Sequence, residues 1–257
     1  MDKLNKNDFR FKKILEIANS FDGMMAPLAV GLFDSFLKKQ KDIGIGGDCI
    51  EFGVYRGKSA SVIAHNMNKG ETLHLVDVAD YPEIEKLQKI WPDSVFTKSK
   101  SEELFKSIEF TDTLDGNIRF SHHDASHFFT NVRDELTGIL PQMKNGGIVV
   151  LDDFNNNFSQ VIAGYFYHKF VLKSDLEILL ISSNKAYLCS KADFPEYEAF
   201  IIDELMDKLD NLDLTSQLVR SENHELHRAF HIRPRTSDMP IRYGENIYGD
   251  RFYRTQK

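Results

Sequence analysis

The sequence predicts an α/β fold: a doubly wound, mostly parallel sheet of seven strands, closed by an antiparallel C-terminal hairpin. Three observations predict it. After Gly46-Gly47, five β-rich runs alternate with helical stretches, the order that builds a parallel sheet with helices on both faces. The fifth run, "GIVVLDD" (Gly147–Asp153), is apolar on both faces, as a central buried strand requires. Two further runs, "LEILLIS" (Leu176–Ser182) and "AYLCS" (Ala186–Ser190), are joined by only Ser183-Asn184-Lys185, which is a hairpin link.

Two amphipathic stretches, Phe9–Asn19 and Pro27–Lys39, precede the sheet and form an N-terminal helical cap over residues 1–45. The core, 46–192, starts with the strand Asp48–Val54. The next strands are Thr72–Val78, Ser94–Ser99 and Asn117–Asp124. Helices are expected over Lys58–Met67, Pro82–Ile90, Ser101–Ile108, Phe128–Met143 and Phe158–Val171. Residues 193–257 form an extension: a helix near Phe194–Leu209, then a tail from His224. That tail carries seven Lys/Arg against four Asp/Glu, interleaved with Phe230, Tyr243, Tyr248, Phe252 and Tyr253. Such mixing can stack bases. With the rest of the chain acidic, the tail reads instead as an arm, packed on its own domain or across a homodimer.

The formal charge of −7 over 257 residues gives no global attraction to nucleic acid or to an anionic membrane. No apolar window is long enough to cross a bilayer, and the N-terminus lacks the apolar core of a signal peptide. Cys49 and Cys189 sit far apart in apolar runs and read as buried free thiols, which fits a cytoplasmic location.

The stretch "EFGVYRGKSAS" (Glu51–Ser61) holds Gly57-Lys58-Ser59, the ending of a phosphate-binding P-loop. That loop needs a glycine five positions before its Gly-Lys, and Phe52 stands there. A dinucleotide G-x-G-x-x-G is absent too, since Gly53 and Gly57 are spaced G-x-x-x-G. What remains is acid-x-Gly-x-x-x-Gly leaving the first strand. Glycine lets the backbone approach a ligand, and the helix at Lys58 presents its N-terminus. Asp77 ends the second strand, where doubly wound sheets commonly place a carboxylate on the ribose hydroxyls of a nucleoside. Two acids at strand ends without a phosphate loop point to a cationic nucleoside, S-adenosylmethionine. The alternative is a tight strand-to-helix turn with a surface glutamate.

At these residues the chain resembles the class I, Rossmann-like methyltransferases, and within them the macrocin-type small-molecule O-methyltransferases. The resemblance covers roughly Gly23 to Lys191: "GMM" (Gly23–Met25), "GGDCIEFGVYRGKSA", "HLVD", "HHDASHFF" and "KNGGIVVLDDF" follow in the expected order. It implies a methyl donor in the crevice, held by Glu51, Gly53, Tyr55, Gly57, Ser59 and Asp77, with Met25 and Ser101 adding contacts. It also implies a small hydroxylated acceptor, such as a sugar or natural-product intermediate. The family's Gly-Asp-Ser sequence after the third strand is Ser99-Lys100-Ser101 here, and Ser101 reads first as a helix N-cap, with an adenine contact second.

"VVLDDF" sets Asp152 and Asp153 where the fifth strand ends, and Asp124 ends its neighbour. Three carboxylates from adjoining strand ends can converge on a hard divalent ion such as Mg²⁺, which would lower the proton affinity of an acceptor hydroxyl. The resemblance implies the same metal ligands, although Ser126 stands where many relatives carry a further acid. Asp124 and His127 are the nearest bases. Two other readings stay open. His122-x-Asp124 is also the spacing of non-haem iron hydroxylases, with His168 or a tail histidine as third ligand. A non-catalytic assembly module could use the same fold.

Overall fold

The computed structural model describes residues 6–154, 169–220 and 230–242. Helices α1 (Lys6–Asn19) and α2 (Pro27–Asp42) come first. Pro27 opens α2, where its missing N–H is no loss. From Leu28 to Gln40 every residue of α2 but Lys38 is buried, so this helix is a core element.

Five parallel strands follow: β1 (Asp48–Phe52), β2 (Leu73–Asp77), β3 (Ser94–Lys98), β4 (Ile118–His123) and β5 (Met143–Leu151). Helix α3 (Lys58–His65) links β1 to β2, and α4 (Ile84–Gln88) links β2 to β3. Helices α5 (Ser101–Leu104) and α6 (Ile108–Leu114) lead to β4, and α7 (Phe129–Ile139) leads to β5. The single helix expected over Ser101–Ile108 is thus two short ones. Ser107 breaks the run, its Oγ accepting from the Phe110 N–H as the cap of α6.

The antiparallel hairpin is β6 (Leu176–Ser182) and β7 (Lys185–Ser190), with β7 pairing against β5. Then come α8 (Phe194–Phe200), a π-helical turn at Ile201–Leu205, and α9 (Met206–Asp210). Strands β8 (Ser216–Arg220) and β9 (Phe230–Pro234) extend the sheet to nine, in the order β3-β2-β1-β4-β5-β7-β6-β9-β8. The expectation of seven strands is corrected here: part of the segment expected as an arm packed on its own domain or across a homodimer is strand β9, whose Phe230 and Ile232 alternate into the core and which pairs with β6. The helix expected over Phe158–Val171 lies almost wholly outside the described residues. His168 and the tail aromatics Tyr243, Tyr248, Phe252 and Tyr253 also lie outside them.

Two apolar layers flank the sheet. Ile148, Val150 and Tyr187 face Phe33, Phe36 and Phe200 on one side, and Val149, Leu151 and Leu188 face Leu136 and Ile139 on the other. The chain leaves β1 toward β2 on one side and returns to β4 on the other. The crevice at the carboxyl ends of β1 and β4 is therefore the topological switch point, where open α/β sheets bind ligands. No helix among the described residues is long and apolar enough to cross a membrane.

Candidate functional site

A cavity of about 730 Å³ opens at that switch point. Its walls are the β1 exit (Gly53–Tyr55), the β2 exit, the β4 exit (Asp124–His127), the β5 exit and the β6–β7 turn. Met25, Ser59 and Ser101 also line it. The strand exits are zipped together by backbone bonds: Gly53 N–H to Val76 O at 2.8 Å, Asp124 N–H to Phe52 O at 2.8 Å, and Asp152 N–H to His123 O at 2.9 Å.

Gly53 ends β1 at φ +80°, and a Cβ there would lie 2.2 Å from the Asp124 carbonyl oxygen. Asp77 holds the turn that follows. Its Oδ2 accepts from the N–H groups of Val54 (3.0 Å) and Tyr55 (2.9 Å), and its Oδ1 accepts from Ala79 N–H (3.1 Å). Each carboxylate oxygen has more than one acceptor direction, so Asp77 can hold the turn and a ribose hydroxyl together. Tyr55 stands at the lip with its ring 5.9 Å from that of Tyr81, a second aromatic on the wall that the sequence reading missed.

Two expected cofactor residues are placed elsewhere. Gly57 does not line the cavity; at φ +103° it turns the chain into α3. Glu51 is a correction to the expectation of a ligand-facing acid. Because β1 continues to Phe52, Glu51 is still inside the strand and wholly buried. Its Oε1 accepts from His122 Nδ1–H at 2.6 Å, and its Oε2 has no hydrogen-bond partner among the described residues. Ser101 lines the wall but is the first residue of α5, not its cap, and its Oγ donates to the Glu135 carboxylate. His123 lies on the opposite sheet face from His122, its ring bonded by Glu135 (2.8 Å) and Ser121 (2.7 Å).

The acidic side of the cavity is organised by a residue that the sequence reading did not single out. Ser183 and Asn184 form the β6–β7 turn with φ of +48° and +71°, and Lys185 opens β7. Phe154 N–H bonds Asn184 O at 2.9 Å, which holds the turn against the β5 exit. Lys185 Nζ then lies 2.7 Å from Asp152 Oδ1 and 3.2 Å from His122 Nε2. Burial by itself would raise the Asp152 carboxyl, but the Lys185 ammonium holds it at about 2. Burial drives the neighbouring Asp124 well above the carboxylate range, and the negative Asp152 beside it pushes the same way. Burial and Lys185 together lower His122, leaving a neutral ring whose Nε2 accepts from the ammonium.

Asp124 and His127 do come together. His127 Nε2 is 3.9 Å from Asp124 Oδ1 and 3.4 Å from Asp153 Oδ2. The metal expectation fares differently. The compact set is His122, Asp124 and Asp152, whose ligand atoms lie within 4.8 Å of one another. Asp153, at φ +51°, is bonded instead by Asn184 Nδ2 at 2.8 Å. Lys185 already pairs with Asp152 of this set, and a divalent ion there would sit against a fixed ammonium. These residues do not fit Mg²⁺ alongside Lys185. The same contact occupies the His122 nitrogen that an iron site would use.

Residues 50–154 match the family model described as a methyltransferase domain. No curated protein matches the chain. Among solved structures, CalS11, a calicheamicin methyltransferase, is 15% identical and superposes with a TM-score of 0.50 over 71% of this chain and 91% of its own. The O-methyltransferase NovP is 15% identical, with a TM-score of 0.49 over 64% of this chain and 80% of its own. MycE, a mycinamycin-pathway methyltransferase solved with Mg, SAH and mycinamycin VI, is 13% identical at 0.47, over 74% and 55%. From β1 to the exit of β5 the chain is similar to a methyltransferase domain, and its α/β fold is of the Rossmann-like kind that CalS11 also has.

Proposed function

We propose that the chain is an S-adenosylmethionine-dependent O-methyltransferase acting on a hydroxyl of a small molecule of sugar or natural-product type. One observation carries the reading: a single cavity joins the Asp77-anchored glycine turn to the Asp124–His127–Asp152 group. The methyltransferase-domain match supports the reaction class. The cavity supports the donor, because Gly53 leaves a backbone cradle that a Cβ would fill and Asp77 lies beside it.

S-adenosylmethionine, when bound, supplies a methyl group on a positively charged sulfur. This chain contributes orientation and a proton acceptor. Asp77 and the Gly53 turn fix the nucleoside, which converts a bimolecular encounter into a positioned one. As the acceptor oxygen gains the methyl it must lose its proton. Asp124 is the more basic carboxyl of its pair, so its ionised form takes that proton, with His127 next in line. The Mg²⁺ implied by the resemblance is not carried into this proposal, for the reason given by Lys185.

Calorimetric titration with S-adenosylhomocysteine tests the donor site. Binding is expected in the wild type. Asp77→Ala removes a ribose acceptor and the anchor of two backbone N–H groups, so affinity should fall by about 10-fold or more. Absence of both heat and thermal shift in the wild type would favour a non-catalytic assembly role.

A further inference from the structure

We propose that Lys185 is the resident cation of this site. Its ammonium takes the place beside Asp124 and Asp152 that a divalent metal ion would otherwise fill, and presents an N–H to the acceptor oxygen. The cation site stands on geometry; only its use on an acceptor oxygen rests on the methyltransferase reading.

The hairpin fixes where this lysine lies. Two successive left-handed residues, Ser183 and Asn184, make the tight turn that suits a twisted hairpin, and β7 pairs with β5 just below Asp152. The register puts Lys185 opposite Ser182. Its side chain is 4% exposed, so the charge has no water shell to fall back on and depends on its protein partners. Those partners are built for it. Asp152 supplies an anion at 2.7 Å. Glu51, buried behind, takes the His122 Nδ1–H and so turns the lone pair of Nε2 to the ammonium. The Phe33 ring lies 6.0 Å from Nζ. An ammonium has three N–H donors, of which Asp152 and His122 take two. Lys185 lines the cavity, which leaves the third for a ligand oxygen. The arrangement also gives Glu51 a role that the sequence reading had placed in donor binding.

The probe is Mn²⁺, titrated into the full-length chain with S-adenosylhomocysteine and followed by electron paramagnetic resonance. Wild type is expected to bind it weakly or not at all. Lys185→Ala should bind one Mn²⁺ at least about tenfold more tightly, since the repelling charge is gone. Adding Asp152→Asn to that variant should abolish the gain. Lys185→Gln, close in shape and neutral, is the second variant should alanine fail to fold. One tight Mn²⁺ in the wild type, lost on Asp152→Asn, overturns the proposal. So does a folded Lys185 variant, with wild-type affinity for S-adenosylhomocysteine, that gains no Mn²⁺. Failure of S-adenosylhomocysteine itself to bind the wild type would count against the methyltransferase reading, and the Mn²⁺ comparison would still decide on Lys185.

Discussion

Arg119→Met should cost roughly 3–5 kcal/mol of unfolding free energy, enough to leave a domain of ordinary stability marginal. Arg119 lies in β4 and is fully buried. Its guanidinium donates to Glu71 at 2.8 and 3.1 Å, to Gly47 O at 3.0 Å, to Gln40 Oε1 at 3.1 Å and to Asn66 O at 3.1 Å. One side chain thus ties α2, the approach to β1, the end of α3 and the approach to β2. Removing it strands a buried carboxylate and two backbone carbonyls. Glu71 would keep only the N–H groups of Gly47, Asn68 and the Asn68 amide. Arg119→Met with Glu71→Gln should therefore recover part of the loss, because the unpaired charge is gone. Urea unfolding of the two variants measures this.

The pH dependence follows the same pair. Burial would raise Glu71, but Arg119 and the amides around it hold its pKa below the ordinary value. A depressed carboxyl contributes stability in full above its unfolded pKa of about 4.3 and loses it as pH falls through the folded value. Arg119→Met should flatten that acid limb. The network sits at the amino end of the strands and the cavity at their carboxyl end. Whatever fraction of the variant stays folded should thus bind S-adenosylhomocysteine as wild type does.

Strands β1, β2, β4 and β5 were legible because each is a short β-rich run closed by a glycine or a carboxylate. Asp77, Asp124 and Asp152 could be placed at one edge for the same reason: residues that end parallel strands end at the same side of the sheet. Glu51 was misread as an acid at the ligand-facing end of its strand; it lies inside β1, one residue before the end at Phe52. Whether a residue near the end of a strand faces the ligand or the core depends on where the strand stops. It stops at Phe52 because Gly53 adopts positive φ. Lys185 was hidden for a different reason. Its neighbour Asp152 is 33 residues away, joined by antiparallel pairing of β7 with β5, and no local pattern encodes that register. The available signal was a lone lysine opening an otherwise apolar strand right after a turn. Strands β8 and β9 escaped because their alternation is short and mixed with charge; only packing of Phe230 and Ile232 against the core assigns them.

Gly53→Ala should abolish donor binding, lowering affinity for S-adenosylhomocysteine by about 100-fold or more while leaving most secondary structure in place. Two costs combine. At φ +80° an L-residue is strained by roughly 1–2 kcal/mol. The new methyl would also lie 2.2 Å from Asp124 O and 2.5 Å from Ala125 Cα, backbone atoms that no rotamer change can move aside. Relief requires the exits of β1 and β4 to separate, which breaks the Asp124 N–H bond to Phe52 O and shifts Asp124 away from Asp152 and the turn away from Asp77. Gly70→Ala isolates the first cost: it stands at φ +88° with nothing within 4 Å of its would-be Cβ. That variant should lose only about 1 kcal/mol of stability and keep full affinity. Calorimetry and circular dichroism on both variants separate strain from clash. Should Gly53→Ala bind S-adenosylhomocysteine as tightly as Gly70→Ala does, the glycine turn is not the donor cradle.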